Sequence, residues 1–382
     1  SFTLKFIEFS AEYDTEKDSD PGSKSVFRWR CSDERKHLVV AQPPRTPSRK
    51  PPVREGHYGV KCLLVGLSVV SVVVICIAVR FLPLPASPGQ PGVPSFHRLI
   101  TANPIVGILS QPSTTHPEYE FIASSYVKWV ESAGGRAVRI PFNASNDTVA
   151  DLLGSVNGVL FPSGDADPNR VAAFIYRHAK ELNRNGTHFP LWGTGLGMQW
   201  LFQLESPTTT LLDDLDVDKM SSTLEFIHGS RSSSRLFGFS AVFDVMAGQP
   251  IADYVDTLGM LVDHLYAAPS LASFFRPLAT SVDRQGREFV AAVEAVEFPF
   301  FGVQFHPERN AYEFGQEAVD HTYNAIVTSQ ALSHVFVNEA RRNDHRFATS
   351  LVERTALLYN RKASDVAYPM FEEVLLFNAT LD

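Results

Sequence analysis

From Pro104 onward, short apolar runs alternate with longer helix-patterned segments, and this order limits the fold more than any other feature. Pro104-Ile105-Val106-Gly107-Ile108-Leu109 reads as a strand. Pro117 to Ser132 reads as a helix with Tyr119, Ile122, Tyr126, Trp129 and Val130 on one side, stopped by Gly134-Gly135. Ala137-Val138-Arg139-Ile140 is the next strand, and Asn146-Asp147 caps a short helix running to Leu153. Gly158–Phe161 is a third strand, followed by a helix from Asn169 to Asn183. Phe189–Gly193 is a fourth, followed at once by an apolar helical run from Leu196 to Leu204. Such alternation predicts an α/β fold of flavodoxin-like type, a mostly parallel sheet with helices on both faces. Residues 205–270 are rich in Ser, Thr and Asp and show no clean period, so helices and loops around the sheet edge are expected there. Strands are then expected at Phe275–Val282, Phe289–Val296 and Phe300–Phe305, and a long helix from Tyr312 to Asn343.

The residues before Pro104 have a different character. Cys62 to Val79 is an uncharged run of 18 residues between Lys61 and Arg80. At 1.5 Å per residue a helix of that length covers about 27 Å, and Gly59, Val60, Phe81 and Leu82 extend it to a membrane span over residues 59–82. Residues 21–61 carry ten basic and three acidic residues, whereas the next basic residue after Arg80 is Arg98. This asymmetry predicts a single-pass signal-anchor with a cytoplasmic N-terminus and the C-terminal domain on the lumenal, secretory or vacuolar side. A mitochondrial inner-membrane location, with the domain between the membranes, stays open. Residues 1–58 form a basic, largely disordered tail, and residues 83–103 a Pro/Gly-rich linker to a domain at 104–382. Sequons at Asn143, Asn146, Asn185 and Asn378 all follow the apolar run and are candidate glycosylation sites. The net charge of −8 argues against nucleic-acid binding.

A strand, a sharp turn and a helix form the usual seat of a nucleophile in an α/β enzyme. Here the turn reads Trp192-Gly193-Thr194-Gly195-Leu196-Gly197-Met198-Gln199. The helix behind it aims backbone N–H groups at any developing negative charge. Far along the chain, Gly302-Val303-Gln304-Phe305-His306-Pro307-Glu308 ends a strand with His and Glu two apart, which suits a general base and its orienting carboxylate. The chain's three cysteines, Cys31, Cys62 and Cys76, all precede Arg80. The domain therefore holds no thiol nucleophile and no Cys-ligated metal. No His and carboxylate spacing suits zinc, and no metal or other cofactor is expected.

With these motifs in hand, the chain resembles the γ-glutamyl hydrolases, the folate-polyglutamate hydrolases of the class I glutamine-amidotransferase-like fold. The resemblance runs from about Pro104 to Asn360. It rests on Pro104–Leu109, Ala123–Lys128, Glu131–Gly134, Gly158–Gly164, Pro190–Leu201, Ser234–Phe237, Tyr312–Phe314 and Phe336–Arg341. It implies a cysteine thiolate attacking the γ-glutamyl amide, with His306 as base and Glu308 orienting it. It further implies backbone oxyanion donors at Leu196 and at Ser163 or Gly164, with Gln199 and Arg235 near the substrate. The implied cysteine position is Gly195, which can neither attack nor be activated, and Ser233 stands where the family often has a His.

A glycine at a strained elbow keeps the fold and removes the chemistry. The expectation is therefore a membrane-anchored pseudoenzyme, acting as a structural or accessory subunit of a membrane assembly or as a homodimer. Two other outcomes stay open: an active γ-glutamyl hydrolase cleaving folate polyglutamates, and a module that binds γ-glutamyl ligands without turnover.

Overall fold

The computed structural model describes residues 99–206, 212–315, 317–364 and 370–379. At its centre is an eight-stranded sheet. Its strands lie in the order Arg136–Ile140, Ile105–Leu109, Gly158–Phe161, Leu191–Thr194, Phe300–Val303, Glu288–Ala295, Phe275–Val282 and Glu225–Phe226. The first five run parallel to their neighbours. The last three are added antiparallel. The alternation of apolar runs and helices produces the parallel half, because each helix returns the chain to the same end of the sheet. The antiparallel half follows from the tight Asp283-Arg284-Gln285-Gly286 turn, where Gly286 has a φ of 80° and its N–H reaches Asp283 O.

Successive residues of a strand face opposite sides, so each central strand feeds two cores. Trp192 packs on one side against Trp129 and Phe336, with ring centroids 5.1 and 5.6 Å away. Leu191 joins the other core with Phe161, Trp200, Phe202 and Phe275. Thr194 lies on the Trp192 face, where its Oγ1 accepts the indole N–H at 2.9 Å.

Several boundaries differ from the sequence expectation. Tyr119–Ala123 is a strand paired with Val374–Asn378, and the helix begins only at Ser124. The late partner strand was not visible in the local pattern. The second helix, Asn146–Leu153, is capped one residue earlier than expected, by Ser145 Oγ accepting from Thr148 N. The final long helix is Tyr323–Ala340, started by Thr322 Oγ1 accepting from Ala325 N. Residues 312–322 form an irregular approach to it. Ile100 N and Thr101 N both donate to Arg341 O, so the end of the expected linker is tied to the domain.

The apolar run Cys62–Val79 and the tail before it lie outside the described residues. Among the described residues, no helix is long and apolar enough to cross a membrane.

Candidate active site

Three neighbouring parallel strands, Gly158–Phe161, Leu191–Thr194 and Phe300–Val303, end on the same side of the sheet. Their C-terminal ends bring Ser163, Gly195 and His306 together from three distant parts of the sequence. This is the end of an open α/β sheet at which ligands are ordinarily bound.

The turn at Gly195 is sharp. Gly195 has φ 54° and ψ −115°, a conformation that costs a residue with a side chain about 1–3 kcal/mol. Its N–H donates to Val303 O at 2.8 Å, and its carbonyl accepts from Met198 N and Gln199 N, which starts the helix Leu196–Glu205. Gly197 is required for a different reason. A Cβ there would lie 2.0 Å from Phe161 O, so the helix could not approach the sheet.

His306 follows its strand by three residues, with its backbone N–H on Asp253 O at 2.8 Å. Its side chain is buried between two carboxylates: Nδ1 donates to Glu308 Oε1 at 2.8 Å and Nε2 to Asp256 Oδ2 at 2.9 Å. Burial alone would depress this imidazole. The Glu308 charge and the hydrogen bonds to Asp256 and Glu308 outweigh it and push the pKa up to about 10. An imidazolium has two N–H donors, and both are used here.

Asp256 is the member that sequence reasoning missed. It sits between the short strands Ala252–Tyr254 and Leu258–Gly259, in the stretch that showed no period. Its second oxygen, Oδ1, accepts from Ser163 Oγ at 2.7 Å. The available signal was a pair of carboxylates, Asp253 and Asp256, within the otherwise mostly apolar Ile251–Met260, which is a weak one. Tyr126 was read only as part of one side of a helix, yet its hydroxyl accepts from Ser163 N at 2.9 Å. Burial, and then the Glu308 charge, push the Tyr126 phenol well above its usual range.

Ser163, Gly164, Leu196, Gln199 and His306 line one cavity of about 370 Å³, with Glu308 behind His306. Leu196 N–H points to Ser163 Oγ at 3.3 Å. The Ser163 N–H is already engaged with the Tyr126 hydroxyl. Gln199 Nε2 donates to Leu258 O at 2.7 Å.

Arg235 is a correction. It lies beside residues that precede the strands, with His188, Pro299 and Arg342, at the opposite end of the sheet from His306. Its N–H donates to Glu294 Oε2 at 2.8 Å and its guanidinium to Ala295 O, so it anchors the antiparallel half. It makes no part of the cavity. Asn143, Asn146 and Asn185 are exposed, and Asn378 is half-buried in the strand Val374–Asn378. Among the described residues, no group of His, Cys, Asp and Glu could hold a metal ion.

A mostly parallel α/β sheet with a glycine elbow and a buried His–Glu pair at its C-terminal end defines a hydrolase-type scaffold. The Peptidase C26 model matches residues 104–308, which include the elbow and the pair, and the chain belongs to that family of γ-glutamyl hydrolase-like proteins. It is 31% identical to γ-glutamyl hydrolase B of Dictyostelium discoideum, over 74% of this chain and 85% of that protein. It is 34% identical to the γ-glutamyl hydrolase of Homo sapiens, over 67% of this chain and 83% of that protein. The glutaminase domain of Trypanosoma brucei CTPS with bound acivicin aligns with a TM-score of 0.42 and 15% identity, over 63% of this chain and 94% of that one.

Proposed function

We propose that this protein is a γ-glutamyl hydrolase-like pseudoenzyme, anchored by the Cys62–Val79 segment, whose domain serves as a structural or accessory subunit of a membrane assembly. The observation that carries the proposal is Gly195. The backbone there has the strained geometry of a nucleophile elbow, yet the residue has no side chain to attack with. No cysteine follows Cys76, so no thiol from elsewhere in the domain can take the role. Both ring nitrogens of His306 are engaged by carboxylates, Nδ1 by Glu308 and Nε2 by Asp256, so neither faces the elbow free to take a proton from a nucleophile. What remains to polarise a bound carbonyl is a backbone N–H such as that of Leu196, which here rests on Ser163 Oγ. Such residual terms amount to about 10³–10⁴-fold over water and leave hydrolysis far below that of an intact triad.

The test uses the full chain in detergent or nanodiscs with a folate polyglutamate, beside an active family member. Chain shortening is expected to be slower by about 10⁴-fold or more. A rate within a hundredfold of the active relative would refute the proposal. Tight binding of the polyglutamate without shortening would instead assign the domain as a γ-glutamyl ligand-binding module. One feature favours that second outcome: Gln199 Oε1 is buried at the cavity with no hydrogen-bond partner in the structure. Protease protection of the full chain in microsomes tests the anchor, and digestion of the domain without detergent would refute the proposed orientation.

A further inference from the structure

Gly195 accounts for the absent nucleophile, but not for what stands in its place. A Cβ built on Gly195 would lie 2.0 Å from Asp256 Oδ2, 2.9 Å from His306 Nε2 and 2.9 Å from Ser163 Oγ. Real Cβ atoms essentially never come that close, so a side chain at position 195 would have to press the Asp256 carboxylate aside. The Asp256 carboxylate is not a loose end that could swing aside freely. One oxygen is fixed on His306 Nε2 and the other on Ser163 Oγ. Its side chain retains only 15% of its exposure. Ser163 Oγ in turn receives the Leu196 N–H at the helix start.

We propose that Asp256 closes the vestigial site: its carboxylate fills the space from which an elbow side chain would rise and occupies the imidazole nitrogen that would face it. The inference rests on the domain being non-hydrolytic, and it adds a second lesion to the first. A thiol restored at position 195 would meet a carboxylate before it met substrate. A neighbouring negative charge disfavours the thiolate, which is the reactive form. With the carboxylate gone, the same thiol would face the His306 imidazolium, which favours the thiolate. The two variants are therefore predicted to move thiol reactivity in opposite directions.

The experiment compares full-length G195C with full-length G195C/D256A. Iodoacetamide labelling at position 195 is followed by peptide mass as a function of pH, so that Cys31, Cys62 and Cys76 are scored separately. For G195C, half-maximal labelling is expected above the free-thiol value of about 8.5, and for the double variant at least one pH unit below it. Shortening of a folate polyglutamate is expected only from the double variant, at least a hundredfold faster than from G195C. Labelling of G195C with the lower midpoint, or shortening by G195C at the rate of the double variant, would overturn the role of Asp256. Turnover by the unmodified chain would instead defeat the pseudoenzyme proposal, and the labelling midpoints would still judge Asp256. Should the double variant not fold, D256N in the unmodified chain decides by NMR titration of the imidazole. A lowered His306 pKa supports the contact, and an unchanged one refutes it.

Discussion

Two segments meet at the site, the Leu191–Glu205 strand–turn–helix and the Ala252–Gly259 loop, and they are held by different means. The first is fixed by its own backbone: Gly195 N–H on Val303 O, the helix start on Gly195 O, and Gly197 packed against Phe161. The second has only short strands of its own. Ala252–Tyr254 pairs with Met220–Ser222, and Leu258–Gly259 with Asp213–Asp214. The loop is held by contacts from elsewhere in the chain: a buried ion pair, Arg309 Nη1 to Asp253 Oδ2 at 2.9 Å, the His306 N–H on Asp253 O, and Gln199 Nε2 on Leu258 O. Backbone-coded geometry leaves marks in the sequence, such as glycines at fixed spacing. Geometry held by side chains and short ladders from distant parts of the sequence leaves almost none.

The largest expected effect lies in the loop. Arg309→Ala would leave the Asp253 carboxylate buried without its partner, which typically costs about 3–5 kcal/mol. Chemical denaturation of the variant measures it. A cost below about 1 kcal/mol would show that the loop does not depend on this pair and that the contrast with the elbow is false.

On the elbow side, Gly197→Ala places a Cβ 2.0 Å from a backbone oxygen that has nowhere to go. Overpacking of this kind costs about 1–3 kcal/mol. Gly248→Ala is the control, because a Cβ there meets nothing within 4 Å, and it is expected to stay within about 0.5 kcal/mol of the parent. Equal melting curves for the two variants would mean that the helix has room to slide, and that the Gly-rich turn is not set by close packing.

The same contrast explains how much could be read from the sequence. The parallel strands, the elbow and the His306–Glu308 pair were legible, because apolar runs, glycines and one short spacing code for them locally. Glu308 lies two residues from His306 and shares its turn. Asp256 lies 50 residues from His306 in the chain and reaches it only because two small ladders and Arg309 place its loop. Arg235 failed in the opposite direction. It lies within the stretch Ser234–Phe237 that resembles the family, but its charge is committed to Glu294 on the antiparallel half, and it does not line the cavity. The helix expected from Pro117 failed because its first residues pair with Val374–Asn378, more than two hundred residues later.

The smallest effect distinguishes the two carboxylates on His306, one legible and one not. The imidazole pKa is raised from 6.5 to about 10, so its protonated form stabilises the fold. That contribution is complete below about pH 6.5, where the unfolded chain is also protonated. It declines as pH rises and is gone once His306 loses its proton near pH 10. The Glu308 charge is the larger of the two carboxylate influences. Glu308→Gln should therefore lower the imidazole midpoint further than Asp256→Asn, and both should lower it. Imidazole NMR titration of the folded variants reads the order directly. If Asp256→Asn moved the midpoint as far as Glu308→Gln, the distant loop would govern the site as strongly as the residue beside it. The residues beside His306 in the chain would then account for only half of the electrostatics at its imidazole.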